Sequence, residues 1–189
     1  MGRIVVTEFI SLDGVAEAPG GEDFRYPNWT FAFDRGAAGE QFKVDEALGA
    51  SALLLGRRTY EAFATAWPGY EGELADKYNG MPKYVVSRTL TAPSWTNTRV
   101  LSGDLVAAVT GLKAEVSGDI SVPGSLHLVQ TLLAHDLVDE LHLMTFPVIL
   151  GTGRHLFAET PDKSTWTLTD STVVGAGVLI TVLQRTRSR

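Results

Sequence analysis

A chain of 189 residues with 44% hydrophobic content has material for a substantial core, and at this length one domain is expected rather than two. Its 16 basic and 22 acidic residues leave a net charge of −6, so the overall field repels nucleic acid and anionic membrane, and any anionic ligand needs a local cluster of donors. The absence of cysteine excludes disulfides, thiolate nucleophiles and Cys-ligated metals.

Met1-Gly2-Arg3 leads directly into Ile4-Val5-Val6 without a signal-peptide pattern, and no apolar run approaches the ~20 residues of a membrane span, so a soluble cytoplasmic protein is expected. Arg3 to Ser11 reads as a strand ending in the turn Ser11-Leu12-Asp13-Gly14. Residues 15 to 30 are rich in Gly, Pro and acids, with Tyr26, Trp29, Phe31 and Phe33 at or just beyond their end. These rings suit either a cover over a planar ligand or a cap on the core edge. Gly36 to Leu48 reads as a helix with Ala37, Ala38, Phe42, Ala47 and Leu48 on its apolar face and Glu40, Lys43 and Glu46 elsewhere; Gly49 is its expected C-cap.

Ala52 to Leu55 form an unbroken apolar run, as in a strand buried on both faces, which meets Gly56-Arg57-Arg58-Thr59 and passes into a helix from Tyr60 to Ala66. Gly56 permits close backbone approach, the helix start offers free N–H groups, and a guanidinium grips phosphate by paired hydrogen bonds. The alternative is a short turn with solvated arginines. Lys83 to Ser87 supplies another strand, Ser102-Gly103-Asp104 caps a helix through Leu112, and Asp119 to Val122 is a strand broken by Pro123-Gly124-Ser125. Leu126, Val129, Leu132 and Leu133 recur at helical spacing, Leu137 to Phe146 is β-type, and two C-terminal strands flank the glycine turn Val173 to Gly177 as a hairpin. The alternation predicts one α/β domain, parallel at first and mixed at its C-terminal end.

Three further strand ends repeat the pattern of Gly56-Arg57. Pro123-Gly124-Ser125-Leu126 opens a helix suited to a pyrophosphate, Leu150-Gly151-Thr152-Gly153-Arg154 joins two glycines to a cation, and Ser87-Arg88 sets a hydroxyl beside a cation for a ribose phosphate. Four such ends in one sheet argue for an extended phosphate-bearing ligand across its carboxyl edge. His127, His135, His142 and His155 show neither a zinc-binding pattern nor close carboxylate pairing, so no metal is expected, and His127 reads as a solvated helix residue. Neither a nucleophile elbow nor a Walker lysine is present.

The ordered set Ser11-Leu12-Asp13-Gly14, Leu54-Leu55-Gly56-Arg57-Arg58-Thr59-Tyr60, Val86-Ser87-Arg88-Thr89, Gly124-Ser125-Leu126, Leu137-Val138-Asp139-Glu140-Leu141 and Pro147 to Gly153 resembles the dihydrofolate reductase-like superfamily. More narrowly, it resembles stand-alone relatives of the RibD C-terminal domain, the reductase domain of riboflavin biosynthesis, over nearly the whole of residues 1–189. The resemblance implies a three-layer α/β/α fold with a mixed, mostly parallel sheet, a homodimer, and hydride transfer from NADPH to a small heterocycle. That acceptor is pteridine- or pyrimidine-like or a related conjugated molecule, as in 5-amino-6-(5-phosphoribosylamino)uracil reductases. It implies that Gly56, Arg57 and Thr59 bind cofactor phosphates, that Ser87 and Arg88 hold the 2′-phosphate, and that Gly124, Ser125 and Leu126 seat the pyrophosphate. Leu12, Asp13 and Gly14 border the nicotinamide, with Pro147 to Gly151, including Leu150, closing the site beside it. For the proton donor, ungapped counting from the Gly-Arg motif gives Glu40, a gapped match gives Asp34, and Asp13 is a third candidate relay. The alternative from another class is an NADPH-binding module that senses the nucleotide without turnover.

Overall fold

The structure, a computed structural model, describes residues 1–20, 23–159 and 162–186. β1 (Arg3–Ser11) is covered on both faces, and the apolar run expected to form a second buried strand is β2 (Ala50–Gly56). Between them lies α1 (Gly36–Gly49). After β2 come α2 (Arg57–Ala66), α3 (Glu73–Gly80), β3 (Lys83–Val86), β4 (Thr98–Leu101), α4 (Leu105–Glu115), β5 (Asp119–Pro123), α5 (Leu126–Ala134), β6 (Glu140–Phe146), β7 (Trp166–Val174) and β8 (Val178–Arg185). The strands form one sheet in the order β4-β3-β2-β5-β1-β6-β8-β7. All pairs from β4 to β6 are parallel, and β8 and β7 add antiparallel at the far edge. Among the described residues, no helix is long and apolar enough to cross a membrane.

The alternation of β1 sorts the core. Ile4, Val6 and Ile10 face α4 and α5, packing with Val109, Leu112, Val129 and Leu132. Phe9 faces the other way with Met144, Phe146, Val178 and Ile180, while Leu53, Leu55, Tyr60, Val85 and Trp95 form a third cluster. Each fully buried Leu, Ile or Phe contributes about 1.5–3 kcal/mol, so the two-sided burial of β1 and β2 fixes the centre of the sheet. Lys83, at the start of β3, is also fully buried. Its ammonium donates to the carbonyls of Asn79 (2.9 Å), Met81 (2.8 Å) and Thr96 (3.0 Å), which uses all three N–H groups, and it lies 4.3 Å from the centre of the Trp95 ring.

Three features differ from the sequence reading. β4 was not anticipated: four residues with a single apolar pair carry no alternation signal, and the strand exists because it pairs with β3. The inward face of α1 is also shifted: Ala47 is buried and Phe42 packs against the core as expected, but the remaining positions differ. Ala37 and Ala38 are exposed, whereas Lys43 and Glu46 turn toward the sheet, because polar partners on β1 and β6 accept them there. Gly49 closes the helix, and Ala50 serves as its C-cap. Of the aromatics near residues 15–30, Trp29 is buried edge-on against Phe146 and caps the core, while Phe31 is exposed; residues 21 and 22 of that loop lie outside the described residues.

The expected C-terminal hairpin has a further role. Its tip sits at the carboxyl edge, where Ala176 N–H donates to Asp34 O (2.6 Å) just before α1 begins. A Cβ on Gly175 would stand 2.0 Å from that carbonyl oxygen, and φ there is +49°. The hairpin therefore fixes the entry of α1, and only glycine fits between them.

Candidate functional site

The carboxyl ends of the neighbouring strands β2 and β5 carry the starts of α2 and α5, and Ser125 ties them together. Its hydroxyl accepts from Gly56 N–H (3.0 Å), and its own N–H donates to the Thr59 hydroxyl (3.0 Å). Gly124 and Ser125 both take left-handed backbone conformations, with φ of +57° and +60°. A Cβ on Gly124 would lie 3.3 Å from the Thr59 side chain. Neither helix start has a side-chain cap. Helical geometry leaves their first N–H groups without intrahelical acceptors, so two positive helix ends converge at one point of the edge. The predicted residues Gly56, Arg57, Thr59, Pro123, Gly124, Ser125 and Leu126 are thus brought into one cradle. His127, on the first turn of α5, is exposed. Arg57 is half-exposed and pairs with Glu61 at 2.9 Å. One strand outward, the Ser87 hydroxyl accepts the N–H groups of Thr89 (3.1 Å) and Leu90 (2.9 Å), a turn that leaves Arg88 exposed.

On the other side of β5, two loops are laced into one wall. Leu12 N–H donates to Val148 O (2.8 Å), Ala16 N–H to Arg154 O (3.0 Å) and Leu156 N–H to Gly14 O (2.9 Å). Asp13 clamps them, accepting from the Ser11 hydroxyl (2.5 Å) and from the N–H groups of Leu150 (3.1 Å) and Gly151 (2.8 Å). The Ser11 bond, aided by these backbone donors against some desolvation, lowers the carboxyl pKa to about 2. Asp13 is therefore an ionised acceptor at neutral pH, and it occupies the N–H groups of Leu150 and Gly151. Glu17 adds a second clamp through the N–H and guanidinium of Arg154, both at 2.8 Å. Burial raises its pKa, but Arg154, with the charge of Arg58, more than offsets this. Leu12 and Ile149 stay 62% and 71% exposed, so this wall presents apolar side chains at its rim.

The acids singled out in the sequence lie at the entry of α1. Asp34 accepts Gly36 N–H (2.7 Å) in a local turn, and Glu40 is exposed and paired with Arg35 at 2.7 Å. A third set of charges was not found in the sequence. Lys43 donates to the Thr7 hydroxyl (2.5 Å) and pairs with Glu46 (2.5 Å), and the Thr7 hydroxyl donates to the same Glu46 carboxylate (3.0 Å). His142 lies between Glu46 (2.6 Å) and Glu140 (2.7 Å), which corrects the expectation that no histidine has close carboxylate partners. Burial disfavours the charged forms of both Glu46 and His142. Hydrogen bonds and opposite charges prevail, so the Glu46 pKa falls below its usual value and that of His142 rises above it. The one local signal was Glu140-x-His142, which places both side chains on one face of a strand.

Residues 3–180 match the model of the RibD C-terminal domain, and the chain belongs to that family. The fold is that of dihydrofolate reductase-like proteins, three layers around a mixed, mostly parallel sheet. Among curated proteins, YyaP of Bacillus subtilis (strain 168) is 26% identical over 183 residues, 94% of this chain and 92% of that protein. A putative riboflavin biosynthesis protein from Shewanella sp. PV-4 superposes with a TM-score of 0.80 at 23% identity, covering 98% of this chain and 99% of that one. Dihydrofolate reductase from Enterococcus faecalis, in complex with NADP(H), superposes with a TM-score of 0.62 at 14% identity, covering 98% and 97%. A RibD C-terminal domain on a dihydrofolate reductase-like fold is thus the class of this protein.

Proposed function

We propose that this protein is an NADPH-dependent reductase that delivers hydride to a small planar heterocycle, pteridine- or pyrimidine-like or a related conjugated acceptor, and that it works in the cytoplasm as one catalytic domain. The observation that carries this reading is the cradle at Gly56, Thr59, Gly124 and Ser125. Gly124 has no side chain to block backbone approach, and the unpaired N–H groups of two helix starts suit a pyrophosphate. Leu126 and Arg57 flank the same anion, while Arg88, raised by the Ser87 turn, suits the 2′-phosphate. Leu12, Gly14 and Ile149 at the rim of the opposite wall provide an apolar seat for the nicotinamide ring, with Asp13 and Gly151 fixing the loops that carry it. The bound cofactor supplies the hydride; the protein aligns the acceptor, excludes water and moves one proton.

Tryptophan quenching with NADPH and NADH tests the cofactor. Saturable binding with NADPH preferred by at least about tenfold is expected, and Arg88→Ala should remove most of that preference. No saturable binding of either nucleotide would sink the reading. Turnover is then assayed by NADPH oxidation over a panel of pteridines and pyrimidines; binding without oxidation of any of them would favour a nucleotide sensor. We also propose a homodimer. β7 is an open edge whose side chains are mostly exposed, Leu168 and Val173 among them, and a second copy would cover it. Light scattering at micromolar concentration should give twice the chain mass.

A further inference from the structure

We propose that Lys43 is the residue that binds the hydride acceptor and gives it its proton, with Thr7, Glu46 and His142 as positioning residues; the inference rests on the reductase reading above. Along the face of β1 that meets α1, Ser11, Phe9 and Thr7 descend in order from the carboxyl edge. Ser11 holds the Asp13 clamp at the rim, and Thr7 is the register neighbour of Pro123, the residue leading into the Gly124 turn. The Lys43 ammonium thus rests on the strand that pairs directly with β5, the strand feeding the phosphate cradle. The ring between rim and ammonium is Phe9, with the charges of Lys43 and Arg35 each 5.2 Å from its centre and Phe146 against it edge-on. A planar acceptor resting on this surface meets an aromatic ring and a directed cation together.

Exposure separates the roles. The side chain of Lys43 is 23% exposed, against 9% for Glu46 and 16% for His142, so the lysine is the member of the cluster that a ligand reaches first. Two of its N–H groups go to Thr7 and Glu46, which leaves one of three for a ligand. Behind it the charges alternate through Glu46, His142, Glu140 and Arg3, which fixes the ammonium without leaving a buried charge unpaired. Tyr78 of α3 also faces Glu46 as a neutral phenol, its pKa pushed up to about 12, first by burial and then by that carboxylate.

The step balances. Hydride from the reduced nicotinamide adds to the acceptor carbon, and the C=N or C=O pair moves onto nitrogen or oxygen. That atom takes the proton from Lys43 Nζ, and the resulting amine regains a proton from water. An alkoxide or amide anion left localised on that atom by hydride addition is a stronger base than an alkyl amine, so transfer from the ammonium runs downhill. This places a cation, rather than Glu40, Asp34 or Asp13, at the acceptor.

Barbiturate tests the assignment without turnover: it is a planar pyrimidine that carries negative charge on its ring oxygens at neutral pH. Isothermal titration with barbiturate, in the presence of NADP+, is run on the wild type, Lys43→Met and Lys43→Arg, with NADPH titrated separately into each. Saturable binding by the wild type, at least about tenfold weaker in Lys43→Met and recovered to within a few-fold in Lys43→Arg, with NADPH affinity equal in all three, is the expected result. Absence of barbiturate binding to the wild type, or equal binding to Lys43→Met, overturns the role of Lys43. Failure of NADPH to bind any of the three overturns the reductase reading instead, and the barbiturate series still decides whether Lys43 holds a planar anion.

Discussion

Ser125 does by hydrogen bonding what its neighbour Gly124 does by lacking a side chain. The serine joins two helix starts, and the glycine leaves the space in front of them open. Gly124→Ala would impose a left-handed conformation on a residue with a Cβ and press that Cβ against Thr59. A loss of about 1–2 kcal/mol in urea unfolding is expected, with NADPH affinity falling by about tenfold or more. Unchanged NADPH affinity would show that the turn does not face the cofactor. Lys83 is a second single residue with a measurable signature. Burial lowers its pKa from 10.5 to about 8. Between those values the unfolded chain binds the extra proton, so this group makes stability rise with pH from about 8 toward 10. Lys83→Met should abolish that rise in denaturation midpoints; a parallel curve for the variant would refute it. At this scale the sequence was informative where chemistry is local, as in Gly56-Arg57 and Pro123-Gly124-Ser125. It was silent on the Lys43–Glu46 cluster, whose members Thr7 and His142 lie 36 residues before Lys43 on β1 and 96 residues beyond Glu46 on β6.

Among the elements, α1 connects the hairpin tip to the acceptor face. Its first turn is fixed by Gly175 and Ala176, its middle by Lys43 on β1, and its last turns by Glu46 on β6. Gly175→Ala tests the first of these attachments. The added Cβ cannot coexist with the Asp34 carbonyl, so the hairpin and the helix start must separate. Loss of about 2–3 kcal/mol is expected, together with faster amide exchange at residues 34–40 and little change in β2 and β5. A fully stable variant would mean that the hairpin does not fix the helix. The inward turn of Lys43 and Glu46 beside Phe42 and Ala47 has a related origin. Residue hydrophobicity predicts which side of a helix is buried only when the opposing surface is apolar, and here β1 and β6 offer a hydroxyl and an imidazole. Strand direction was legible because strands alternate with helices until the C-terminal glycine hairpin, whereas their order in the sheet was not. β4 was not, since its stability comes from pairing with β3 rather than from its own residues.

For the whole molecule, the Glu46–His142 pair is the internal charge contact that couples the helical layer over the acceptor face to the sheet. Its titration sets a pH window for stability. The raised pKa of His142 gives a contribution that is complete below about 6.5 and is lost as pH climbs through the higher folded value. The lowered pKa of Glu46 gives a contribution complete above about 4.5 and lost as pH falls through the lower folded value. Both are present between those limits. The excess of acidic groups adds a general repulsion that also grows with pH, so the wild-type curve alone cannot isolate the pair. His142→Gln keeps a hydrogen-bonding side chain but removes the titration. Urea midpoints measured from about pH 5 to 8, below the range in which Lys83 titrates, should fall above about 6.5 in the wild type and fall much less in the variant. Equal slopes in the two proteins would show that His142 does not carry the extra proton in the folded state, and that its contact with Glu46 is a hydrogen bond from a neutral imidazole.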